Sequence, residues 1–349
     1  MKKLVLCFDR NRGQSEPKIA TNALRLFQSL DEGPDQVAWY HPGLSANHGS
    51  PLHPFKDAAE GARGAIAEAY RFLVDRWEPG DSIYLFGVGR GGYCAQSLTR
   101  LLATVGILPE LADFVLDAYA LPRTGRTEQD WTRVTRIAAQ LAPEREIPVS
   151  VRFLGLWDAV RIPGFTRRSA PAPMSNVESG RHAVAIDGRP GEPLMTSASE
   201  RVEEVWFRGA HCDVAGGPGA CRQLAEVSFD WVVDGGIAAG LAMSDERIDR
   251  LPAPGQHDAL AETAHTISIR RLPQDAAVHA SVELYLRDHP QYWKRLPARV
   301  TWSDLDWAAR GERLVQVAHT PPIVADASLE ASFGELVSNI GELSPATRV

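Results

Sequence analysis

The stretch Asp81-Ser82-Ile83-Tyr84-Leu85-Phe86-Gly87-Val88-Gly89-Arg90-Gly91-Gly92-Tyr93 decides how the chain is read. Asp81 to Phe86 carries the apolar run of a buried strand. Gly92 to Thr104 spaces Tyr93, Leu98, Leu101 and Leu102 as one helical face. The turn between them has glycine at 87, 89 and 91. Strand, glycine-spaced turn and helix are the setting of a G-x-S-x-G nucleophile elbow, in which a strained turn lifts a serine above the end of a sheet. The serine position here is Gly89, so the elbow is present without its nucleophile.

Outward from the elbow, strands and helices alternate through the first two thirds of the chain. Lys3 to Asp9, Gln36 to Tyr40, Val149 to Trp157 and Glu203 to Phe207 read as further strands. Helical spacing covers Thr21 to Leu30, with Thr21 as its cap, Ala58 to Trp77, Leu111 to Ala120 and Asp130 to Leu141. The alternation predicts an α/β fold with a mostly parallel sheet and helices on both faces. Ligands of such sheets bind outside the carboxyl ends of the strands. Those ends deliver Asp9, the turn at 87–92, Asp158, and His211 with Asp213 to one rim. Loops at 11–19 and 41–56 would sit beside it, and the Pro-, Arg- and Ser-rich stretch 161–199 reads as a lid or specificity loop.

The 349 residues, 44% hydrophobic and 23% charged, fit a globular protein, and a net charge of −7 gives no electrostatic case for nucleic acid. Cys7, Cys94, Cys212 and Cys221 form no C-x-x-C pair and read as reduced thiols of a cytosolic chain. The apolar run after Lys3 stops at Asp9-Arg10, too short for a secretory core. No stretch approaches the roughly 18 apolar residues of a membrane span. A cytoplasmic location is expected, with export by a signal-independent system left open. The sequence leaves the oligomeric state open.

The ordered motifs resemble a bacterial and fungal family of α/β-hydrolase-fold proteins typified by phospholipase effectors of the type VI secretion system. The family's Phe-Asp-Gly is matched by Phe8-Asp9-Arg10, and its Gly-Phe-Ser-Arg-Gly-Ala-Tyr by Gly87-Val88-Gly89-Arg90-Gly91-Gly92-Tyr93. Its Val-Trp-Asp-Thr-Val is matched by Leu156-Trp157-Asp158-Ala159-Val160. Its Gly-x-His-Ser-Asp-Val-Gly-Gly is matched from Gly209 through His211, Cys212 and Asp213 to Gly217, and its His-x-Ser-Val by His279-Ala280-Ser281-Val282. The resemblance implies one hydrolase-like domain over residues 1–285, with the elements of 286–349 packed on it. It also implies a Ser–Asp–His hydrolase of esters, in some members phospholipids. The acid carries onto Asp158 and the base onto His211, while the nucleophile carries onto nothing. Departures gather at Arg10, Gly89 and Gly92, the pattern of natural divergence rather than of a single inactivating change.

Two readings follow. In the first the chain hydrolyses ester or phosphoester bonds of a small-molecule or lipid-like substrate through His211, Asp158 and Asp213, with water activated directly or by a divalent metal. The candidate metal ligands are Asp9, Asp158, His211 and Asp213. In the second it is an inactive pseudo-hydrolase that keeps the pocket for an anionic or acyl ligand or a protein partner. Asp9, Arg10, Gly87, Val88, Gly89, Arg90 and Gly91 would bind the ligand or oxyanion in either case, with the Arg90 N–H and the positive end of the following helix facing it. Glycines in such a turn can equally serve tight packing. Cys212, next to His211 on a segment read as extended, should turn away from the pocket, and Cys94 should be packed in its helix. His41, His48 and His53 read as a solvated loop rather than a metal site.

Overall fold

Along β1 (Lys3–Phe8) the side chains alternate between two cores: Leu4, Leu6 and Phe8 enter one, Val5 and Cys7 the other. A strand buried on both sides must have helices over each face of its sheet. The computed structural model describes residues 1–10, 20–43, 54–119, 127–144, 147–162, 174–188, 194–195, 199–244, 259–262 and 270–307. Within them, eight strands form one parallel sheet in the order β2-β1-β3-β4-β5-β6-β7-β8.

After β1 comes α1 (Asn22–Ser29), whose first turn is capped by the Thr21 hydroxyl accepting from the Leu24 N–H. β2 (Gln36–His41), α2 (Pro54–Arg76), β3 (Ser82–Val88) and α3 (Arg90–Val105) follow. The chain steps from β1 to β2 on one side, then crosses back over β1 to place β3 on the other. Right-handed crossovers then put α1 on one face and α2 and α3 on the opposite face. Ala23 and Leu26 of α1 pack with Val5 and Cys7, whereas Ile66 of α2 and Leu98 of α3 pack with Leu4 and Leu6. The reversal of direction falls between β1 and β3, whose carboxyl ends form the switch point at which such sheets take ligands.

Beyond α4 (Ala112–Tyr119) and α5 (Glu128–Leu141), β4 runs only over Phe153–Trp157. The expected strand from Val149 is shorter: the Val149 N–H turns to Leu102 O, and Val151 stands in an isolated bridge with Val177. β5 (Gly180–Ala185) lies within the stretch read as a lid, and it is a buried central strand between β4 and β6 (Val202–Phe207). Other parts of that stretch, the loop at 11–19, and residues 44–53 with His48 and His53 lie outside the described residues. α6 (His211–Ala215) and α7 (Arg222–Ala238) follow β6, and α7 places Val227, Phe229 and Val232 in the core that also holds Phe86 and Trp157.

β7 (Ala276–His279), α8 (Ala280–Asp288) and β8 (Val300–Ser303) complete the sheet, so residues beyond 285 contribute its last strand. Residues 308–349 lie outside the described set. The registers Phe8↔Gly87, Val88↔Trp157, Trp157↔Ala183 and Ala185↔Phe207 bring the carboxyl ends of β1, β3, β4, β5 and β6 to a common rim.

Candidate functional site

Asp158 is the first residue past β4 and takes a left-handed backbone, φ 44°. Its own N–H donates to Ala183 O and its Oδ1 accepts from the Ala185 N–H, so the carboxylate lies against the end of β5, fully buried. The next peptide is fixed too, since the Ala159 N–H donates to Nε2 of the buried His182 at 3.1 Å. Nδ1 of that imidazole lies 3.4 Å from Glu204 Oε2, an ion-pair distance without hydrogen-bond geometry.

His211 opens α6, and its Nδ1 lies 2.7 Å from Asp158 Oδ2. With Nδ1–H donating to the carboxylate, Nε2 is left as the basic nitrogen. The imidazole keeps 24% exposure while Asp158 has none. Asp213 acts differently. Its Oδ2 accepts from the Ala210 N–H and its Oδ1 from the Cys221 N–H, both at 2.8 Å, so the carboxylate anchors the first turn of α6 and the loop that follows. Cys212 is the second residue of α6: its Sγ donates to Gly219 O, and burial followed by the nearby Asp213 pushes its thiol up to about 11.

Arg270 completes the acid and carried no signal in the sequence. Its Nη1 donates to Asp158 Oδ1 and Ala185 O, and its Nη2 donates to Asp158 Oδ2 at 3.0 Å. Burial by itself would push the carboxyl up, but the Arg270 guanidinium and His211 outweigh it and hold Asp158 well below the usual carboxylate range. Such a bidentate clasp fixes the plane of the carboxylate as well as its charge.

At the elbow, the Gly89 N–H donates to Trp157 O, while Gly89 O accepts from Val160 N and Gly92 N. Three of its glycines are required by close approach. A Cβ on Gly87 would stand 2.6 Å from Gly92 Cα, one on Gly91 2.3 Å from Phe8 O, and one on Gly92 2.7 Å from Ala159 Cβ. Gly89 differs. Its φ of 55° and ψ of −115° are strained for a residue with a side chain, yet the three atoms nearest its Cβ all belong to side chains. These are His211 Cε1 at 3.0 Å, His211 Nε2 at 3.2 Å and Arg10 Cβ at 3.4 Å. A side chain at 89 therefore points at the basic nitrogen of the dyad, and here that space holds none.

The remaining expected residues are distributed around this centre. Arg90 is the first residue of α3, so its N–H belongs to the amides that lack an intrahelical acceptor. Val88 is buried with Phe86 and Trp157 and faces the core. Asp9 is nearly buried, with Oδ1 accepting from the Arg10 N–H and Oδ2 from Thr21 Oγ1 and Tyr40 OH at 2.7 Å. The proposed metal ligands do not fit a divalent cation, because hydrogen bonds or the Arg270 ion pair engage the oxygens of Asp9, Asp158 and Asp213. Among the described residues no three His, Cys, Asp or Glu side chains converge to hold one.

The matched His279-Ala280-Ser281 motif copies the composition of a triad, with Nδ1 2.8 Å from Ser281 Oγ and Nε2 3.2 Å from Asp304 Oδ2. That imidazole instead accepts the Ser281 N–H as the cap of α8 and lies buried, stacked 4.6 Å from Phe207.

Residues 2–235 match the family described as T6SS, Phospholipase effector Tle1-like, catalytic domain. The "Uncharacterized protein YEL023C" of Saccharomyces cerevisiae is 30% identical over 220 aligned positions, which take in 55% of this chain and 32% of that protein. The chain thus spans about a third of the length of that relative. A solved structure of the Tle1 effector bound to the VgrG spike from the Type 6 secretion system is similar at 14% identity and a TM-score of 0.37, covering 62% of this chain and 50% of its own. An uncharacterized protein from Pseudomonas aeruginosa is similar at 14% identity and a TM-score of 0.40, covering 99% and 60%. Among the described residues no helix is long and apolar enough to cross a membrane. By the match over residues 2–235, the chain belongs to the Tle1-like phospholipase effector catalytic-domain family.

Proposed function

We propose that the chain hydrolyses ester or phosphoester bonds of a small-molecule or lipid-like substrate with water in place of the serine nucleophile. The supporting observation is the direction of the missing side chain. An atom at the Cβ position of residue 89 would lie 3.2 Å from His211 Nε2, which is hydrogen-bond distance for a water oxygen. His211 takes a proton from that water as its oxygen attacks the carbonyl or phosphoryl centre, and the imidazolium returns the proton to the leaving oxygen. Asp158 holds Nδ1–H and orients the ring, with Arg270 balancing its charge. The Arg90 N–H and the amino end of α3 face the developing oxyanion.

The test is turnover of short acyl esters and phospholipids by the purified chain. His211→Ala and Asp158→Ala should each lower it by about 10²–10⁴-fold, the usual contribution of a general base, and chelation should leave it unchanged. Sensitivity to a chelator, or mutants as active as the parent, would remove the reading.

A second reading, a pseudo-hydrolase that retains an anionic or acyl ligand or a protein partner, is favoured by Gly89 itself, which offers no group for covalent chemistry. It predicts no turnover at all, together with stabilisation by ligand of about 2.7 kcal/mol at a hundred times Kd.

A further inference from the structure

Two positions at which this chain leaves the family's motifs lie against each other. Arg10 stands where the motif has glycine, and Gly89 stands where it has serine. A Cβ at 89 would lie 3.4 Å from Arg10 Cβ, so the stem of the arginine borders the space the serine would fill. The far end of the same side chain is received by Gly217, which has φ 90° and at which a Cβ would come within 2.8 Å of Arg10 Nη2. Arg10 therefore runs from the elbow to the glycine pair behind α6, close enough to Cys212 to act on its thiol. Among the described residues no carboxylate lies within ion-pair distance of this guanidinium; neighbouring Asp9 spends its oxygens on Thr21, Tyr40 and the Arg10 N–H. The paired exchange removes a nucleophile and introduces a permanent, forked cation at the same rim, and the amino end of α3 adds to the same sign.

We infer that Arg10 is a specificity-determining residue that selects substrates and ligands carrying an anionic oxygen group, phosphate or carboxylate, set apart from the bond to be cleaved by the length of its own side chain. The reacting carbonyl or phosphoryl group sits over Gly89 beside His211 Nε2, and the anion lies on the guanidinium towards Gly217. The turnover part of this inference rests on the hydrolase reading above; the binding part does not.

The experiment has two arms on the full chain. In the first, thermal shifts are recorded with inorganic phosphate and with succinate, at ionic strength matched with sodium chloride, for the parent, Arg10→Gly, Arg10→Lys and Arg10→Gln. The parent should be stabilised by at least one anion, and the responsive anion says whether the group is phosphate or carboxylate. Arg10→Gly and Arg10→Gln should bind at least tenfold more weakly, and Arg10→Lys should fall between because it lacks the fork. In the second arm, kcat/KM is compared for 4-acetoxybenzoate and its uncharged methyl ester. Arg10→Gly should lower the ratio of charged to uncharged substrate at least tenfold. No stabilisation of the parent by either anion, equal binding by parent and Arg10→Gln, or an unmoved ratio would overturn the inference. If the parent turns over neither ester, the hydrolase reading fails and the first arm alone decides the role of Arg10. Arg10→Gln, which keeps the bulk of the stem, stands in if Arg10→Gly does not fold.

Discussion

Arg270 and Asp158 meet through two parallel hydrogen bonds across 112 residues of sequence, and the oxygens they share also serve His211 and the Ala185 amide. The acid of the dyad is thus charge-compensated before its imidazole takes up a proton.

Breaking that pair should be costly. Arg270→Met leaves a buried carboxylate without its counter-ion and should destabilise the fold by about 3–5 kcal/mol in urea unfolding at neutral pH. The pH dependence follows from the sign of the shift. Asp158 is held below its unfolded value of about 4, so the stability it contributes is complete above pH 4 and is lost as the pH falls through the lower folded value. The gap between parent and Arg270→Met should therefore narrow on acidification below pH 4. A gap that stays constant from pH 7 to pH 3 would show that the pair is not what holds Asp158 ionised.

Gly89→Ser should gain activity. Its hydroxyl would be delivered beside His211 Nε2, at the cost of a left-handed backbone and a ring shift of a few tenths of an ångström, which the partly exposed imidazole can make. Hydrolysis of short acyl esters should exceed the parent's, and a fluorophosphonate should label the variant stoichiometrically and leave the parent unlabelled at the elbow. A loss of about 1–3 kcal/mol in stability should accompany the gain. A folded variant with no gain would mean that the pocket has been rebuilt around glycine.

The other elbow glycines should respond by mechanism. Gly91→Ala drives a methyl to 2.3 Å from a main-chain oxygen that cannot rotate aside, whereas Gly92→Ala drives one to 2.7 Å from the Ala159 methyl. Both should destabilise, Gly91→Ala more, with overpacking of about 1–3 kcal/mol at Gly92. Adding Ala159→Gly should recover part of the Gly92→Ala loss and none of the Gly91→Ala loss. Additive behaviour in both double mutants would contradict this packing account.

His182→Ala should act through the backbone. It removes the acceptor of the buried Ala159 N–H, at about 1–3 kcal/mol, and frees the peptide that sets the direction of Asp158. In a catalytically active protein kcat should fall while KM changes little. A stability loss with kcat intact would confine His182 to a structural role.

Much of this could be read in advance where a single local cause suffices. Continuous apolar runs bounded by turns marked β1, β3 and β6, and strand ends marked Asp158 and His211, because burial on both faces leaves a plain trace. β5 was hidden because Gly180-Arg181-His182 opens it with residues that read as loop, and only its neighbours on both sides make it a strand. Arg270 was hidden because nothing near it in sequence explains a buried guanidinium. Glycine looks the same whether it admits a ligand or a neighbouring backbone, so sequence could not separate Gly89 from Gly87, Gly91 and Gly92, and the positions of the missing methyls do.

The reach of Arg270 has a consequence for dissecting the chain. The segment by which relatives are recognised ends at residue 235, and a chain cut there would keep the elbow, Asp158, Ala185 and His211. It would not keep the counter-ion, so its buried acid would have to bind a proton or draw in water. A protonated Asp158 could no longer anchor the imidazole as an anion. The smallest electroneutral unit of this site is therefore longer than the segment that identifies its ancestry, and a chain ending at 235 would lack this counter-ion together with β7 and β8 of the sheet.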